Sequence, residues 1–355
     1  MASTADAQDR PPDLSFILVA YESGDLLLGA PQSIDRSRDL ATAAGYAVEV
    51  IVVDNASNDG AIGRAQRAFP DVRVIGNTTN RGFAAASNQA FAHARGRYVC
   101  TLNPDAEVDE RFVIEAVRCL DDHPRIALLA PVGRWTGSDG ERYSSSAGDL
   151  PKIDPPTLLL RLRTQESPSP TGIDRVRYVW GTGLILRRDA AQRDRFFAER
   201  WFLFGEEFEL CDRLRSAGWE IAAYDAVRIA HAVGASYTRQ VEAIRAAGRL
   251  QHAVRWELHR SRWGGVWALA NELVALADNA ALYGALMLKG AHGDERGAAD
   301  RAIGRRHMRA RYGVGVRASV GVLTCRSRYL ARADRLARQF FTSSPTRPTA
   351  TPENS

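Results

Sequence analysis

Apolar runs of strand length alternate with helical patterns along the first part of this chain. The runs occupy residues 15–20, 49–53, 72–75, 98–102 and 126–130, and helical patterns lie between them at residues 39–45, 84–94 and 111–120. Strands and helices that alternate in this way form a parallel sheet with helices packed on both of its faces. The sequence therefore predicts an α/β fold around a mostly parallel, Rossmann-like sheet.

The alternation ends after residue 134, where the chain becomes richer in Ser, Pro and Gly. We expect residues 135–175 to form a long loop region over the functional edge of the sheet. Strand patterns return at Tyr178–Leu186 and Ala222–Ile229, and a helix is predicted within Trp201–Gly218. The predicted organisation is a disordered N-terminus (1–13), an α/β domain (14–238), a helical, basic C-terminal region (239–342) and a disordered tail (343–355).

Composition is typical of an intracellular globular protein. The chain has 355 residues, of which 45% are hydrophobic and 25% charged, enough for a large core. Its four cysteines are scattered without CxxC spacing, so neither a disulfide framework nor a zinc site is indicated. Because no apolar run follows a basic start in the first residues, we expect no secretory signal and a cytoplasmic location.

Positive charge is concentrated near the C-terminus. The formal net charge is +5, and arginines crowd residues 296–338 with few acids among them. Such a tract suits nucleic acid, an anionic membrane or a solvated helix face. Since no nucleic-acid-binding module accompanies the tract, nucleic acid is the least favoured of these partners.

Two helical segments of this region are apolar enough to touch a membrane surface. Val266–Leu288 is interrupted by polar residues, which favours a packed or interfacial helix over a spanning one. Nearer the tail, apolar side chains recur at helical spacing beside arginines; they are Tyr329, Ala333, Leu336, Ala337 and Phe340. We therefore predict peripheral contact with an anionic membrane, at the inner face of the cell membrane, through this C-terminal stripe.

A strand that ends on Asn103-Pro104-Asp105 is the first candidate site. Residues at the carboxyl ends of strands face the ligand crevice of an open α/β sheet. Oxygen ligands on a short turn suit Mg²⁺ or Mn²⁺, and such a cation is usually shared with substrate phosphates. His231 follows another predicted strand and is a candidate to join Asp105 on the cation.

Two further polar segments follow strands of the same sheet. Asp54 ends a strand and opens the loop 55–60, where a carboxylate can accept the imide N–H of a uracil or thymine ring. Asn80 and Arg81 precede a Gly-containing entry into a small-residue helix, whose amino end suits anionic phosphate. Both segments therefore predict contacts with a nucleoside diphosphate.

Acidic side chains cluster at the start of a later predicted helix. Glu206, Glu207 and Glu209 follow the aromatic run Trp201–Phe204. Acids at a helix start are also favoured by the helix dipole, and for Glu209 this structural role is an equal alternative. Adjacent acids beside aromatic rings have the environment in which a carboxylate becomes a general base, which favours Glu206 and Glu207.

Taken in this order, the motifs resemble those of inverting glycosyltransferases of family 2, which have the GT-A fold, and especially of rhamnosyltransferase-like members. The resemblance covers residues 15–236. It implies a GT-A nucleotide-sugar-binding catalytic domain, followed here by the helical extension. It also implies the site residues, which are Tyr21, Glu22, Asp54, Asn80, Arg81, Asn88 and Asn103 for the donor, Asp105 and His231 for the metal, and Glu207 with Glu206 for catalysis.

Two positions depart from the family pattern. The metal motif has Asn103 where the family has an acid, so that one possible ligand of the turn is neutral. The acidic pair is Glu206-Glu207 where the family has Glu-Asp. This second change lengthens the arm of the predicted base, Glu207, by one methylene group.

The resemblance implies transfer of a sugar by a single displacement with inversion, in cell-envelope polysaccharide synthesis. The donor would be a nucleoside-diphosphate sugar, dTDP-L-rhamnose above others, and the acceptor a glycan or a polyprenyl-linked sugar. One alternative is a nucleotidyltransferase, but the chain lacks a Gly-rich, basic triphosphate loop near its first strand. The other is a non-catalytic glycan- or membrane-binding scaffold, which would not turn over a donor. An oligomer is compatible with all three.

Overall fold

The computed structural model describes residues 11–137, 140–145, 147–148, 172–179, 181–191, 195–231, 241–289 and 326–342, with a few single positions between 313 and 323. The strands are β1 (Leu14–Ala20), β2 (Val48–Asp54), β3 (Arg73–Gly76), β4 (Tyr98–Leu102), β5 (Ala106–Val108), β6 (Ile126–Gly137), β7 (Gly140–Ser145), β8 (Ala147–Gly148), β9 (Ile173–Arg175), β10 (Tyr178–Val179), β11 (Leu184–Arg187) and β12 (Glu220–His231). The helices are α1 (Leu26–Ala43), α2 (Ala61–Ala68), α3 (Phe83–Phe91), α4 (Phe112–Asp122), α5 (Glu206–Ser216), α6 (Val241–Lys289) and α7 (Arg326–Thr342), with a 3₁₀ turn at Arg188–Ala190.

One large mixed sheet forms the centre of the fold, with the strand order β3-β2-β1-β4-β11-β6-β12-β5. Strands β3, β2, β1 and β4 are parallel neighbours, as the alternating pattern predicts. Strand β11 lies antiparallel between β4 and β6, while β12 is parallel to β6. The start of β11 therefore lies beside the carboxyl end of β4, where the sequence places its first candidate site.

Both faces of the sheet are buried, which explains why its strands are continuously apolar. Phe16 of β1 faces the layer that contains α1 and α4, and its ring lies 5.7 Å from that of Phe112. The next residue, Ile17, faces the opposite layer, where Ala86 and Ala90 of α3 pack. The small alanines of α3 allow this helix to approach the sheet closely.

Three predicted elements differ from the structure. The helix predicted at residues 39–45 is the end of α1, which begins at Leu26. The predicted loop 135–175 is wrong at its start, because β6 continues to Gly137 and pairs with β7; residues 149–171 lie outside the described part of the chain. The strand predicted at Tyr178–Leu186 is divided into β10 and β11, with Gly183 between them at a φ of +73°.

The described residues of the C-terminal region are helical, and α6 turns back on itself. Gly264 has a non-helical backbone (φ 83°, ψ 172°). On either side of it, His252 Nδ1 lies 3.6 Å from Glu272 Oε1, and Trp256 packs against Ala268. Residues 241–263 and 265–289 are therefore two antiparallel arms, which we call the first and second arm. No helix among the described residues is both long and apolar enough to cross a membrane.

Candidate active site

The first functional pair joins the turn after β4 to the end of β12. Strand β12 runs antiparallel to β5, so that His231 lies opposite Ala106, the residue after Asp105. As a result, His231 Nε2 lies 3.1 Å from Asp105 Oδ1, and both side chains are almost completely buried. The structure thus brings together the two residues that the sequence proposes as metal ligands.

The geometry of this pair fits a divalent cation. Ligands bound at about 2.1 Å on adjacent corners of an octahedron lie about 3 Å apart, close to the observed oxygen–nitrogen separation. A carboxylate with an imidazole suits Mn²⁺ in particular. Among the described residues, no group of three or more His, Cys, Asp or Glu side chains could hold a metal ion. Two protein ligands are what a cation shared with a diphosphate needs.

Asn103 lies beside this pair. Its Nδ2 is 3.5 Å from His231 Nε2 and donates to Thr182 Oγ1 at 3.2 Å. The amide oxygen and nitrogen are similar in size, so the group can turn over without a steric change. Turning the amide over would present Oδ1 of Asn103 to the same space, where it would be a neutral oxygen ligand.

Glu206 and Glu207 occupy the first turn of α5 and are 6% and 7% exposed. Burial raises the pKa of Glu207 to about 7, although the Gly205 N–H, which donates to Glu207 Oε2 at 3.1 Å, opposes the rise. Burial and the neighbouring charge of Glu207 raise the pKa of Glu206 well above its usual value. Glu206 Oε2 has no hydrogen-bond partner among the described residues. The pair therefore holds its protons to higher pH than exposed carboxyl groups do, and the charge of one carboxylate disfavours ionisation of the other.

The predicted base, Glu207, and the predicted metal turn are connected through the residues before β11. A methyl group on Gly181 would lie 3.9 Å from the Glu207 carboxyl group, so this backbone runs along that carboxyl group. The next residue, Thr182, accepts the hydrogen bond from Asn103. The antiparallel direction of β11 places this segment between Glu207 and the turn that carries Asp105.

The end of β1 and the loop after β2 are fastened to each other. Glu22, whose φ is +49°, accepts the Asn58 N–H at 2.9 Å on its carboxylate, and its own N–H donates to Ser57 Oγ at 3.2 Å. Asp54 Oδ1 accepts the Ser57 N–H at 2.8 Å. Asp54 therefore has one structural bond, and the loop that carries it is held in a single conformation.

Tyr21 and Asn80 extend this group towards α3. Burial and the charge of Glu22 raise the pKa of Tyr21, and a hydrogen bond with Asn80 opposes the rise. Arg81 follows with an exposed side chain. The structure therefore brings five predicted donor residues to one edge of the sheet; they are Tyr21, Glu22, Asp54, Asn80 and Arg81.

Asn55 connects the residues at this edge of the sheet, although it was not predicted as a site residue. It is 2% exposed, and both the nitrogen and the oxygen of its side-chain amide form hydrogen bonds. Nδ2 donates to Asn80 Oδ1 at 2.7 Å and to the Gly82 carbonyl at 3.3 Å, while Oδ1 accepts from Asn77 Nδ2 and the Arg81 N–H. A buried asparagine in a polar loop has no sequence pattern that separates it from its exposed neighbours.

Asn88 lies on α3, and its side chain bonds to the backbone before α5. The expectation that Asn88 flanks the nucleotide stays a prediction. Its Oδ1 accepts the N–H groups of Phe196 and Phe197 at 3.0 and 2.9 Å, and its Nδ2 donates to the Phe197 carbonyl at 2.8 Å. Asn88 therefore fastens the chain before α5 to α3. Glu209 also has a structural contact, because its carboxylate pairs with Arg213 at 3.2 Å.

A substitution at Glu206 should reveal the cost of its burial. A carboxyl group with a raised pKa supports folding below its ordinary value, and that contribution is lost as the pH rises through the raised value. Glu206→Gln, which cannot ionise, should therefore raise Tm by about 2 °C at pH 8 and change it little at pH 5. Thermal denaturation at both pH values measures this difference, with Glu209→Gln as the matched control. An equal shift at both pH values would contradict it.

The fold of the chain is of the GT-A class. Its fold is similar to that of the mannosyltransferase PcManGT from Pyrobaculum calidifontis, solved with GDP-Man and Mn²⁺. The TM-score is 0.55 and the identity 22%, over 90% of this chain and 89% of that one. The sequence identifies the family within this fold class. Residues 15–193 match the model of glycosyl transferase family 2, and the chain belongs to that family, as its motifs predicted.

Two relatives with named roles match parts of the chain. The N-acetylglucosaminyl-diphospho-decaprenol L-rhamnosyltransferase of Mycobacterium tuberculosis is 28% identical over 207 residues, which is 51% of this chain and 65% of that protein. The succinoglycan biosynthesis protein ExoO of Rhizobium meliloti is 38% identical over 104 residues, 29% of this chain and 28% of that protein. The chain thus spans just under two thirds of the rhamnosyltransferase.

Proposed function

We propose that this enzyme transfers L-rhamnose from dTDP-L-rhamnose to a polyprenyl-linked sugar, with inversion and with the aid of Mn²⁺ or Mg²⁺. The observation that carries the proposal is the connection of a buried base, Glu207, to the Asp105–His231 pair through residues 181–182. A base beside a diphosphate site suits direct displacement of the diphosphate by a hydroxyl group. The named activity of the mycobacterial relative supports the choice of donor and acceptor.

In this mechanism the acceptor hydroxyl attacks the anomeric carbon while Glu207 takes its proton. The bond between that carbon and the diphosphate oxygen breaks, and its electron pair leaves with the diphosphate. Asp105 and His231 would hold the cation, which supplies positive charge for the departing diphosphate. Glu206 stays protonated in this mechanism, so it adds no second negative charge beside the Glu207 carboxylate.

The proposal is tested by offering the purified protein a panel of UDP-, GDP- and dTDP-sugars with Mn²⁺ or Mg²⁺. A synthetic N-acetylglucosaminyl-diphospho-polyprenol serves as acceptor. Transfer from dTDP-L-rhamnose with release of dTDP supports the proposal. Preference for another donor would replace the sugar, release of pyrophosphate from a triphosphate would indicate a nucleotidyltransferase, and absence of turnover with every donor would indicate a scaffold.

Asp54 is proposed to read the pyrimidine base, and its replacement should weaken donor binding. A lost hydrogen bond that leaves a polar partner unpaired costs about 1–3 kcal/mol, so Asp54→Ala should raise the Kd for dTDP by roughly tenfold to a hundredfold. Isothermal titration with dTDP and GDP measures the effect. Asn58→Ala is the control, because it shortens an exposed side chain of the same loop and keeps the backbone N–H that Glu22 accepts. Equal affinity of the wild type for both nucleotides would contradict this role.

A membrane contact also belongs to the proposal. Two residues of the predicted stripe on α7, Ala333 and Ala337, are buried, and Ala337 lies in a cluster with residues of the first arm. An exposed apolar face lies instead on the second arm, where Val266, Trp267 and Leu273 are 81%, 48% and 51% exposed. Because the C-terminal region is rich in arginine, an anionic lipid surface complements it.

Liposome flotation should locate this contact. Trp267→Glu combined with Leu273→Glu should reduce binding to vesicles of phosphatidylglycerol and phosphatidylcholine by about tenfold, since two apolar side chains would become charged. Leu40→Glu is the matched control, because Leu40 is also an exposed leucine (41%) but lies on α1. Binding of the wild type should weaken in salt. If the wild type does not bind anionic vesicles, the membrane contact is wrong, and this face would instead contact another copy of the chain.

A further inference from the structure

The backbone of Phe202, four residues before Glu206, is bonded on both sides. Its carbonyl accepts the Phe83 N–H at 3.0 Å, where α3 begins beside the donor loop. Its own N–H donates to Asp334 Oδ1 of α7 at 3.1 Å. One residue therefore links the donor loop, the approach to the catalytic acids and the C-terminal helix.

The segment from Phe202 to Gly205 packs closely against the start of α3 on one side and the first arm on the other. A methyl group on Gly82 would lie 2.4 Å from the Phe202 carbonyl oxygen, and one on Gly205 would lie 2.2 Å from Val254 Cγ1 of the first arm. Phe204 and Gly205 have left-handed backbones, with φ values of +69° and +88°. For Phe204 this conformation is unfavourable and persists only where the surroundings impose it.

The C-terminal helices supply those surroundings. Arg338 Nε donates to Asp334 Oδ2 at 2.6 Å, and its guanidinium lies 5.2 Å from the centre of the Phe202 ring. Trp201 packs into a buried cluster with residues of the first arm and α7. The carboxylate of Asp334 is therefore held in place by Arg338 while it accepts the Phe202 N–H.

We propose that Asp334 is a positioning residue for the catalytic pair, so that α7 is a functional part of the active site. This inference rests on the proposed transfer reaction, although Asp334 lies outside the residues that match the family model. By fixing the Phe202 peptide, Asp334 sets where α5 begins and thus where the Glu206 and Glu207 carboxyl groups lie. Because the carbonyl of the same residue accepts the Phe83 N–H, Asp334 also fixes the base relative to the donor loop.

Loss of this bond has two consequences for the reaction. A displacement of about 1 Å at a reacting group can cost about a hundredfold in rate. A looser segment also admits water to Glu207, and the burial that raises the pKa of this carboxyl group is then reduced. The rate should fall and the acidic limb of the pH profile should move to lower pH, a combination that a loss of stability alone does not produce.

The test compares Asp334→Ala and Asp334→Asn with Arg335→Ala, whose side chain is exposed on the same helix. With dTDP-L-rhamnose and the synthetic acceptor, Asp334→Ala should lower kcat by about tenfold to a hundredfold, shift the acidic limb to lower pH and change the donor KM little. Asp334→Asn keeps an acceptor oxygen and should recover part of the rate. Arg335→Ala should behave as the wild type.

Hydrogen exchange of the protein alone separates this inference from the proposed function. Amides in residues 201–207 should exchange faster in Asp334→Ala than in the wild type or Arg335→Ala, whether or not rhamnose is the sugar. A folded Asp334→Ala protein with unchanged exchange, kcat and pH profile would overturn the proposal. If Asp334→Ala does not fold, the same comparison is made with Asp334→Asn, whose unchanged kcat, pH profile and exchange would also overturn it.

Discussion

Glu207→Gln should lower kcat by about 10²–10⁴-fold while leaving the Kd for dTDP nearly unchanged, because it removes the proposed base and keeps the size of the side chain. The amide can still accept the Gly205 N–H that holds the native carboxylate. Since burial raises the pKa of Glu207 to about 7, the rate of the wild type should increase with pH up to about that value and then level off. Initial rates across pH 5–9 check both expectations.

Two variants make this test specific to Glu207. Glu207→Asp restores the residue of the family pattern and should keep part of the activity with a similar pH profile. Glu206→Gln should keep more activity than Glu207→Gln, because Glu206 is proposed to act in its protonated form. If Glu206→Gln loses turnover while Glu207→Gln remains active, the role of base belongs to Glu206.

Asp105→Asn should abolish the metal dependence of donor binding and lower kcat/KM by about 10²-fold or more. The carboxylate is the charged member of the Asp105–His231 pair, and a metal ion that stabilises a leaving diphosphate contributes several kcal/mol. Titration of the protein with Mn²⁺ in the presence of dTDP measures the change. The fold should survive, because asparagine has the same shape as aspartate.

Glu107→Gln is the control for this substitution. Glu107 lies two residues further along the same segment, is exposed and pairs only loosely with Arg36, at 3.5 Å. It should retain the activity and Mn²⁺ response of the wild type. If wild-type turnover persists in excess EDTA, or if Asp105→Asn turns over donor at the normal rate, the assignment of the metal ligands is wrong.

The parallel half of the sheet could be predicted because its strands are buried on both faces. Runs such as those of β1 and β4 are apolar throughout, and each ends in polar residues at the edge where ligands bind. The predicted proximity of Asp105 to His231 agrees with the structure for a related reason, since His231 ends β12 and Asp105 lies in the turn that follows β4. The sequence predicted a single strand where the structure has β10 and β11. Apolar residues lie on both sides of the turn at Gly183, so the hydrophobic pattern does not reveal the turn.

Side chains that bond to distant backbone could not be assigned from the sequence. Asn88 lies in a helix that enters the donor edge, yet its amide bonds to Phe196 and Phe197. The apolar stripe on α7 shows the same limit, because helical spacing reveals a buried face without showing whether lipid or protein covers it. In this chain the first arm of α6 covers Ala337.

The reacting groups come from positions that are far apart along the polypeptide. His231 and Asp105 are 126 residues apart, and Phe202 and Asp334 are 132 residues apart. Contacts of such sequence separation close large loops, which costs chain entropy and places them late in folding. Strands β1, β2 and β3 can assemble earlier, since they follow one another along the chain and pair with each other. We therefore expect the sheet to form before the candidate active site during folding. In a refolding experiment, enzymatic activity should recover more slowly than the circular dichroism signal.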